Sequence, residues 1–175
     1  MSAVIRNFTQ SPAAVTRGIR EIFFESSSRK EFATPQEKDN FYWKYVGFYL
    51  HHYPTHAWVA LGEKEEVLGY TVVDPVTALP EIFAIQPHLT EFCEFYANFP
   101  AHLHVNCHAS TRGLGIGSKL VLKVSQQLSA EQCIGLHIMT APGSVNCSFY
   151  QKLGFDFEVT RYFNAAAILM MGKSL

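Results

Sequence analysis

Hydrophobic and polar residues along the chain follow two periods, and the order of these periods predicts a mixed αβ domain. Before position 30, apolar residues recur at helical spacing, at Val15, Ile19, Ile22 and Phe23. The stretch "AHLHVNC" at 101–107 has the alternation of a strand. The predicted order is a strand, two helices, two strands, a short helix, a strand, a loop, a helix, a strand, a helix and a closing antiparallel pair of strands. A strand–loop–helix–strand unit therefore occupies the centre of the chain.

Two sequence signals mark where the first two helices begin. Ser11 followed by Pro12 predicts an N-cap with proline at the first helical position. Thr34 and Glu37 form a capping box around Pro35.

The second helix is rich in aromatic residues and should end near Pro54. Helical spacing turns one set of rings toward the core and leaves the other for a cleft or a partner, although core packing alone explains most of them. The predicted core set is Phe41, Tyr45, Phe48 and Tyr49, and the other set is Tyr42, Trp43, His51 and His52.

Length and composition restrict the classes of function. The 175 residues contain no repeat or linker, which predicts a single domain over 1–175. A formal net charge of −1 without a basic tract argues against binding to nucleic acid or to a membrane surface. Apolar runs are shorter than the roughly 20 residues of a membrane span, and the first residues lack a signal-peptide layout. The four cysteines form no CxxC pair and fit reduced thiols, so we expect a cytoplasmic protein.

Residues 110–118 read "STRGLGIGS", with three glycines alternating between a predicted strand and a predicted helix. Glycine allows positive φ and close approach to a ligand, and the N–H groups at a helix start attract anions. A tight turn alone needs one glycine, so the loop predicts a phosphate site. It matches neither common phosphate loop: Ser118 replaces the third glycine of GxGxxG, and Lys119 lacks the preceding glycine of a P-loop.

The pattern Arg112-x-x-Gly115-x-Gly117 resembles the acyl-coenzyme A pyrophosphate motif of the GNAT-type N-acetyltransferases. Further on, "NCSFYQKLGF" resembles the second signature of that family, and "FPAHLHVNCHAST" resembles the strand before the loop in a subgroup related to the acetyltransferase-like domain of O-GlcNAcase. The resemblance covers 101–157 by motif and the first hundred residues only by the order of elements. It implies the GNAT fold, a mixed, mostly antiparallel sheet of about seven strands flanked by helices.

The resemblance also implies acetyl-CoA as a co-substrate and a primary amine of a small molecule or protein as the acceptor, attacked directly in a ternary complex. In the family, the pantetheine arm pairs with free backbone of the fourth strand like an added strand, and the pyrophosphate lies on the N–H groups of the loop. Carried over to this chain, the coenzyme-binding residues are Val105, Asn106 and Cys107 on the strand, Arg112, Gly113, Leu114, Gly115, Ile116, Gly117 and Ser118 in the loop, and Asn146, Phe149 and Tyr150 in the second signature.

Four residues are candidates for a part in catalysis, one as the proton donor and three as the base or the holder of a basic water. Tyr150 matches the family position that usually supplies a phenol near the sulfur, which implies that it protonates the leaving thiolate; the alternative is a ring that only packs under the coenzyme. His104 is the first candidate for the base, because its reference pKa is near neutral and it lies close to the implied pantetheine segment. A water held by Asn106, and His108, come next. His102 and His104 are alternatively hydrogen-bonded structural residues of the sheet.

The chain departs from the family pattern at two positions. The subgroup usually has a proline where this chain has Ala109, and an acidic residue on the strand where it has Asn106, which cannot act as a base. A coenzyme-binding domain without turnover therefore stays an alternative, as does a nucleotide-binding module of another fold.

Two further features concern metal binding and assembly. A metal site from His102, His104 and His137 lacks a carboxylate, so no metal is predicted. The apolar strand "AAAILMM" near the end suggests a homodimer formed by extending a sheet.

Overall fold

Seven strands form one sheet in the computed structural model of the chain, which describes residues 3–11 and 13–175. The strands are β1 (Val4–Asn7), β2 (Trp58–Leu61), β3 (Val67–Asp74), β4 (Ala101–Cys107), β5 (Gly135–Thr140), β6 (Phe157–Phe163) and β7 (Ala166–Ser174). Their order is β1-β2-β3-β4-β5-β7-β6. The β1/β2, β2/β3, β5/β7 and β6/β7 ladders are antiparallel, and the β4/β5 ladder is parallel. The predicted mixed, mostly antiparallel sheet is confirmed.

Helices occupy the predicted connections. They are α1 (Val15–Ser26), α2 (Pro35–Tyr42), α3 (Phe48–His52), α4 (Pro80–Ile85), α5 (Ile116–Ala130) and α6 (Cys147–Gln151). One short helix was predicted between β3 and β4, and the structure has two helical segments there: α4 and a 3₁₀ segment over Pro87–Phe95. Within the part of the chain that the structure describes, no helix is both long and apolar enough to cross a membrane.

Packing divides the chain into two compact units. Unit 1 comprises the described residues up to Val73 together with His104–Val124, and unit 2 comprises Asp74–Leu103 and Ser125–Leu175. The chain passes from unit 2 to unit 1 within β4, between Leu103 and His104. That the whole chain is a single domain stays a prediction.

The core of unit 1 follows the predicted periodicities. All four apolar residues predicted to line one face of the first helix are buried on α1. The first turns of α5 pack on a cluster that includes Ala60 and Leu68 from the sheet and Ile116 and Leu120 from the helix. This cluster is the reason why α5 begins where it does, because Ile116 is only 3% exposed and anchors the end of the glycine loop.

The two predicted helix starts differ in outcome. Thr34 caps α2, since its Oγ1 accepts from the backbone N–H of Glu37 at 3.1 Å, and the Glu37 carboxylate accepts from the backbone N–H of Ala33 at 2.7 Å. The N-cap predicted at Ser11 is wrong: α1 begins at Val15, and Ser11 ends a preceding 3₁₀ turn. Pro12 lies outside the described residues.

A π-helical turn over Trp43–Gly47 connects α2 to α3 and changes which aromatic rings are buried. As predicted, Phe48 and Tyr49 are buried and Trp43, His51 and His52 are exposed. Tyr42 was predicted to face outward but is 8% exposed, whereas Phe41 and Tyr45 are only partly buried. The predicted spacing of 3.6 residues assumes one continuous α-helix, whereas the π turn lengthens the local period from Trp43 onward.

Unit 2 is built on the β5–β7–β6 ladder. The long last strand, β7, pairs with β5 from Leu169 to Ser174 and with β6 from Ala166 to Gly172. β7 therefore has a neighbour on both sides from Leu169 to Gly172, whereas the sequence suggested a strand that extends a sheet across a dimer. That the protein forms a homodimer stays a prediction. β6 is the edge strand, with burial that alternates residue by residue.

Candidate functional site

The loop after β4 contains two glycines whose backbone conformation excludes most other residues. Gly113 and Gly115 have φ angles of 79° and 74°, in the left-handed region. A Cβ built on either glycine meets nothing within 4 Å, so open space lies beside the backbone. α5 begins at Ile116, and the first N–H groups of a helix have no partner inside it. These donors lie at the positive end of the helix dipole, and the first turn holds no acidic residue.

Local hydrogen bonds hold the turn that precedes the glycines. His108 caps it, with Nδ1 accepting from the backbone N–H of Ser110 at 3.3 Å. The buried Thr111 hydroxyl lies 2.7 Å from the carbonyl oxygen of His108 and 3.2 Å from that of Leu68. The backbone N–H of His108 also donates to Leu68 at 2.9 Å. These contacts tie the turn to β3.

Three polar side chains on β3 and β4 form a hydrogen-bonded cluster in unit 1. The amide nitrogen of Asn106 lies 3.0 Å from the Tyr70 hydroxyl oxygen and 3.0 Å from His104 Nε2. Because residues two apart on a strand face the same side, His104 and Asn106 share a face as predicted. An amide nitrogen carries two hydrogens and no acceptor lone pair, so it donates to both partners.

Aromatic rings surround His104. The ring centroids of Phe23, Tyr45 and Tyr70 lie 6.1, 6.4 and 6.1 Å from that of His104. Burial lowers the pKa of His104 to about 4, so the imidazole is neutral at pH 7. Burial also raises the pKa of Tyr70, an effect that the Asn106 hydrogen bond partly opposes, so its phenol is neutral as well. His104 itself keeps part of its surface exposed.

Tyr42 adds an unsatisfied hydroxyl to the same unit. Its oxygen is buried and has no hydrogen-bond partner among the described residues. The Arg20 guanidinium lies 4.8 Å over its ring. Burial raises the pKa of Tyr42 to about 12 although the positive charge of Arg20 lowers it.

The opposite face of β4 is apolar. Val105 and Cys107 pack against the cluster under α5. Burial raises the pKa of Cys107 to about 11, so the thiol stays protonated and is a poor nucleophile. Within the part of the chain that the structure describes, β4 is paired with β5 at Ala101 and His102, and no pair with β5 is registered after His102.

A groove of about 670 Å³ lies beside the loop in unit 1. His108 borders it, with Nε2 3.6 Å from Glu25 Oε2 and Nδ1 2.7 Å from Ser110 Oγ. Because Nδ1 accepts the Ser110 N–H, the proton of the neutral ring lies on Nε2, toward Glu25. Both nitrogens thus have neighbours, and the geometry makes His108 a cap of the loop.

The second signature lies in unit 2. Tyr150 is 6% exposed on α6, and its ring packs against Phe149 and Phe155 at centroid distances of 5.0 and 5.3 Å. Asn146 precedes the helix and accepts a hydrogen bond from Thr140 Oγ1 at 2.9 Å. Gly154 follows with a φ of 85°, as expected for the glycine that ends a helix. The roles predicted for Asn146, Phe149 and Tyr150 stay predictions.

His102 and His137 form a structural pair in unit 2. Their rings stack 5.0 Å apart with planes 5° apart, which does not direct the nitrogens toward a shared ion. His137 Nδ1 donates to the carbonyl oxygen of Phe99 at 2.7 Å, and burial lowers its pKa to about 4. No group of three His, Cys, Asp or Glu side chains suited to a metal occurs in residues 3–11 and 13–175.

Among the predicted site residues of unit 1, the structure brings His104 and Asn106 into one hydrogen-bonded cluster and places Arg112–Ser118 at the start of α5. Sequence reasoning missed Tyr70. It lies in the apolar strand "VLGYTVV", where its hydroxyl group was the only sign of a functional role. No spacing rule connects it to Asn106, 36 residues away.

Comparisons with known proteins identify the family and the fold of the chain. The model of the acetyltransferase (GNAT) family matches residues 16–155, more than half of the chain. No curated protein matches it. Among solved structures, SsHAT is similar over 99% of this chain and 98% of its own, with 17% identity and a TM-score of 0.76.

Two further solved structures show the same fold. The NatC complex bound to Gag peptide and CoA is similar over 100% of this chain and 99% of its own, with 15% identity and a TM-score of 0.68. An N-acetyltransferase from Staphylococcus aureus Mu50 is similar over 99% of both chains, with 16% identity and a TM-score of 0.64. None of these findings bears on the O-GlcNAcase-related subgroup, which stays a prediction. With the family model matched over most of its length, the chain belongs to the GNAT family of acetyltransferases.

Proposed function

We propose that the protein transfers the acetyl group of acetyl-CoA to a primary amine of a small molecule or a protein, by direct attack in a ternary complex. The observation that carries this proposal is the loop Arg112–Ser118, where two glycines at positive φ lead into α5. The family match supports acetyl transfer, and the loop supports the coenzyme as the donor.

The residues of the loop fit a diphosphate. Open space lies where a Cβ would stand on Gly113 and Gly115, Arg112 is exposed beside them, and no carboxylate occupies the first turn of α5. These features favour an anion by hydrogen bonding and by the helix dipole. The backbone of Val105–Cys107, which has no registered pair with β5, is free to pair with an extended arm.

The reaction requires a proton donor for the leaving thiolate and a proton acceptor for the attacking amine. The amine nitrogen attacks the thioester carbonyl carbon, a C–N bond forms, the C–S bond breaks, and the thiolate of CoA takes up a proton. An alkylamine with a pKa of about 10.4 is neutral only about once in a thousand molecules at pH 7, so its proton needs an acceptor.

We assign the proton donor to Tyr150, whose phenol matches the family position. For the amine proton, Asn106 Oδ1 has no partner among the described residues and is available to hold a water. His104 as the base stays a prediction that its geometry does not favour, because Nε2 already accepts from Asn106. A water route to solvent is therefore the better candidate.

The experiment is a thiol-release screen with acetyl-CoA over amines, aminoglycosides, amino acids and peptides. Turnover with an amine supports the proposal. A melting temperature raised by acetyl-CoA with thiol release at background for every amine would point to a binding domain without turnover. A melting temperature raised by ATP or NAD but by neither form of the coenzyme would overturn the proposal.

Tyr150→Phe tests the assigned acid once an acceptor is known. We expect kcat to fall about 100-fold, within the range for loss of a general acid, while the Kd of acetyl-CoA stays within about twofold. Tyr96→Phe is the matched control, because it also removes a buried hydroxyl in unit 2, one that donates to Leu89 at 2.6 Å. Equal kcat values for both variants would remove Tyr150 from the acid role.

A further inference from the structure

We propose that Tyr70 is a positioning residue of the acetyl-transfer site: through Asn106 it holds His104 as a neutral imidazole with its proton on Nδ1. His104 then donates a hydrogen bond during the reaction instead of removing the amine proton. The catalytic part of this inference rests on the proposed function, whereas the position of the proton does not.

The hydrogen bonds of Asn106 determine the tautomer. One amide hydrogen goes to the Tyr70 hydroxyl oxygen and the other to His104 Nε2, both at 3.0 Å. Since the amide nitrogen only donates, Nε2 must present a lone pair. The neutral imidazole has one N–H, which is therefore on Nδ1.

Tyr70 makes this arrangement specific. It is fully buried, at 0% exposure, so its hydroxyl occupies one position. Burial raises the pKa of Tyr70, and the phenol oxygen stays a neutral acceptor for the Asn106 amide. Without that acceptor, nothing in the cluster would require the amide nitrogen to face His104.

The surroundings of His104 oppose a second proton. The groups packed against the ring are Phe23 from α1, Tyr45 from the π turn and Tyr70 from β3. The titratable members, Tyr45 and Tyr70, are phenols, and none of these contacts supplies a carboxylate to balance an imidazolium. A proton on Nε2 would also point at the Asn106 N–H group.

What remains available on His104 is a donor. Nδ1 has no hydrogen-bond partner within the described residues, and the ring keeps part of its surface exposed. A neutral imidazole N–H is suited to a carbonyl oxygen that gains negative charge, and it needs no change of protonation to act. In the proposed reaction, the oxygen of the thioester carbonyl gains this negative charge, and it would accept the hydrogen bond from Nδ1.

The tautomer is measured on the ¹⁵N-labelled protein alone, by long-range ¹H–¹⁵N correlation of the histidine rings at pH 7. We expect the proton of His104 on Nδ1. His137 is the internal reference, because donation to the Phe99 carbonyl at 2.7 Å requires the same tautomer. A proton on Nε2 of His104 would mean that the amide is turned the other way, and it would overturn the proposal.

Two variants test whether Asn106 and Tyr70 set this tautomer. Asn106→Asp replaces the donor by a carboxylate that only accepts, so the His104 proton should move to Nε2. Tyr70→Phe should leave a mixture of both tautomers, with the His137 signals unchanged. An unchanged His104 tautomer in Asn106→Asp refutes the control by Asn106, and an unchanged tautomer in a folded Tyr70→Phe refutes the positioning role of Tyr70.

A pair of His104 variants tests the donor role in turnover. In His104→Asn, the amide places an N–H close to the position of Nδ1 but cannot take up a proton. In His104→Leu, the side chain is similar in shape to that of Asn but has no hydrogen-bond donor. We expect His104→Asn to keep kcat within about tenfold of the wild type and His104→Leu to lose about 100-fold, as for loss of one oxyanion donor. Equal losses would overturn the donor role. Absence of turnover in the wild type would count against the proposed function and leave the tautomer result standing.

Discussion

Glycine and histidine serve different ends in two regions of the molecule: β4 with the loop after it in unit 1, and β5 in unit 2. In unit 1, Gly113 and Gly115 border open space, and His104 is partly exposed, with no hydrogen-bond partner for Nδ1 among residues 3–11 and 13–175. In unit 2, a Cβ on Gly135 would lie 2.1 Å from the carbonyl oxygen of Asn98. His137 there has no exposed surface at all.

This difference separates requirements of packing from requirements of a ligand. Where neighbouring protein atoms exclude a side chain, a substitution should lower the free energy of unfolding. Where open space surrounds the residue, the same substitution should alter binding and affect stability only through backbone strain. The following experiments test this contrast.

The largest expected effect is that of Gly135→Ala in unit 2. The new Cβ would overlap a backbone carbonyl, which cannot move aside as a flexible side chain does. We expect the free energy of unfolding to fall by about 3 kcal/mol or more, measured by urea denaturation. If Gly135→Ala has the free energy of unfolding of the wild type, the Asn98 backbone moves aside at little cost. Packing would then not be the reason for a glycine at this position.

The pH dependence of stability tests His137. The pKa of His137 is near its ordinary value of 6.5 in the unfolded chain, and burial lowers it to about 4 in the folded protein. Between these two pH values the unfolded state binds more protons than the folded state. The contribution of neutral His137 to the free energy of unfolding is therefore complete above pH 6.5 and is lost as the pH falls toward 4. The loss amounts to about 3 kcal/mol.

His137→Asn isolates this contribution, because its amide can still donate to the Phe99 carbonyl but does not titrate. Urea denaturation from pH 7.5 to 4.5 should show a shallower decline in the variant than in the wild type. Parallel declines would mean that His137 becomes protonated inside the folded protein.

Gly115→Ala should act on the coenzyme rather than mainly on the fold. The Cβ enters the open space of the loop, so we expect the Kd of CoA to rise about tenfold, equivalent to 1.4 kcal/mol, by isothermal titration. Gly154→Ala is the matched control, because its φ of 85° imposes the same backbone strain away from the loop. Equal Kd values for the two variants would indicate that the loop does not bind the diphosphate.

The smallest expected effect concerns Tyr42. Its buried hydroxyl has no partner among the described residues, so Tyr42→Phe should leave the free energy of unfolding unchanged or raise it by about 1 kcal/mol. Tyr96→Phe in unit 2 should instead lower it by about 1 kcal/mol, since its hydroxyl donates to Leu89. A clear loss in Tyr42→Phe would reveal a partner for the hydroxyl, such as an ordered water.

Local patterns predicted most of the architecture. Alternation located β4 over 101–107 to the residue, and helical spacing identified the four apolar residues that α1 buries. The capping box at Thr34 was confirmed because its bonds join residues three apart. The cap predicted at Ser11 failed because the preceding turn uses this residue as its own end.

The sequence by itself determined the order of elements, the glycine loop and the family, because all three depend on residues close together in the chain. Only the tertiary structure decided that β7 is an inner strand, that Tyr42 is buried and that Tyr70 faces Asn106. Strand order and long-range side-chain contacts arise from packing between distant segments, which local spacing does not encode. The tautomer that we propose for His104 depends on such a contact, because Tyr70 lies on β3 and Asn106 lies on β4.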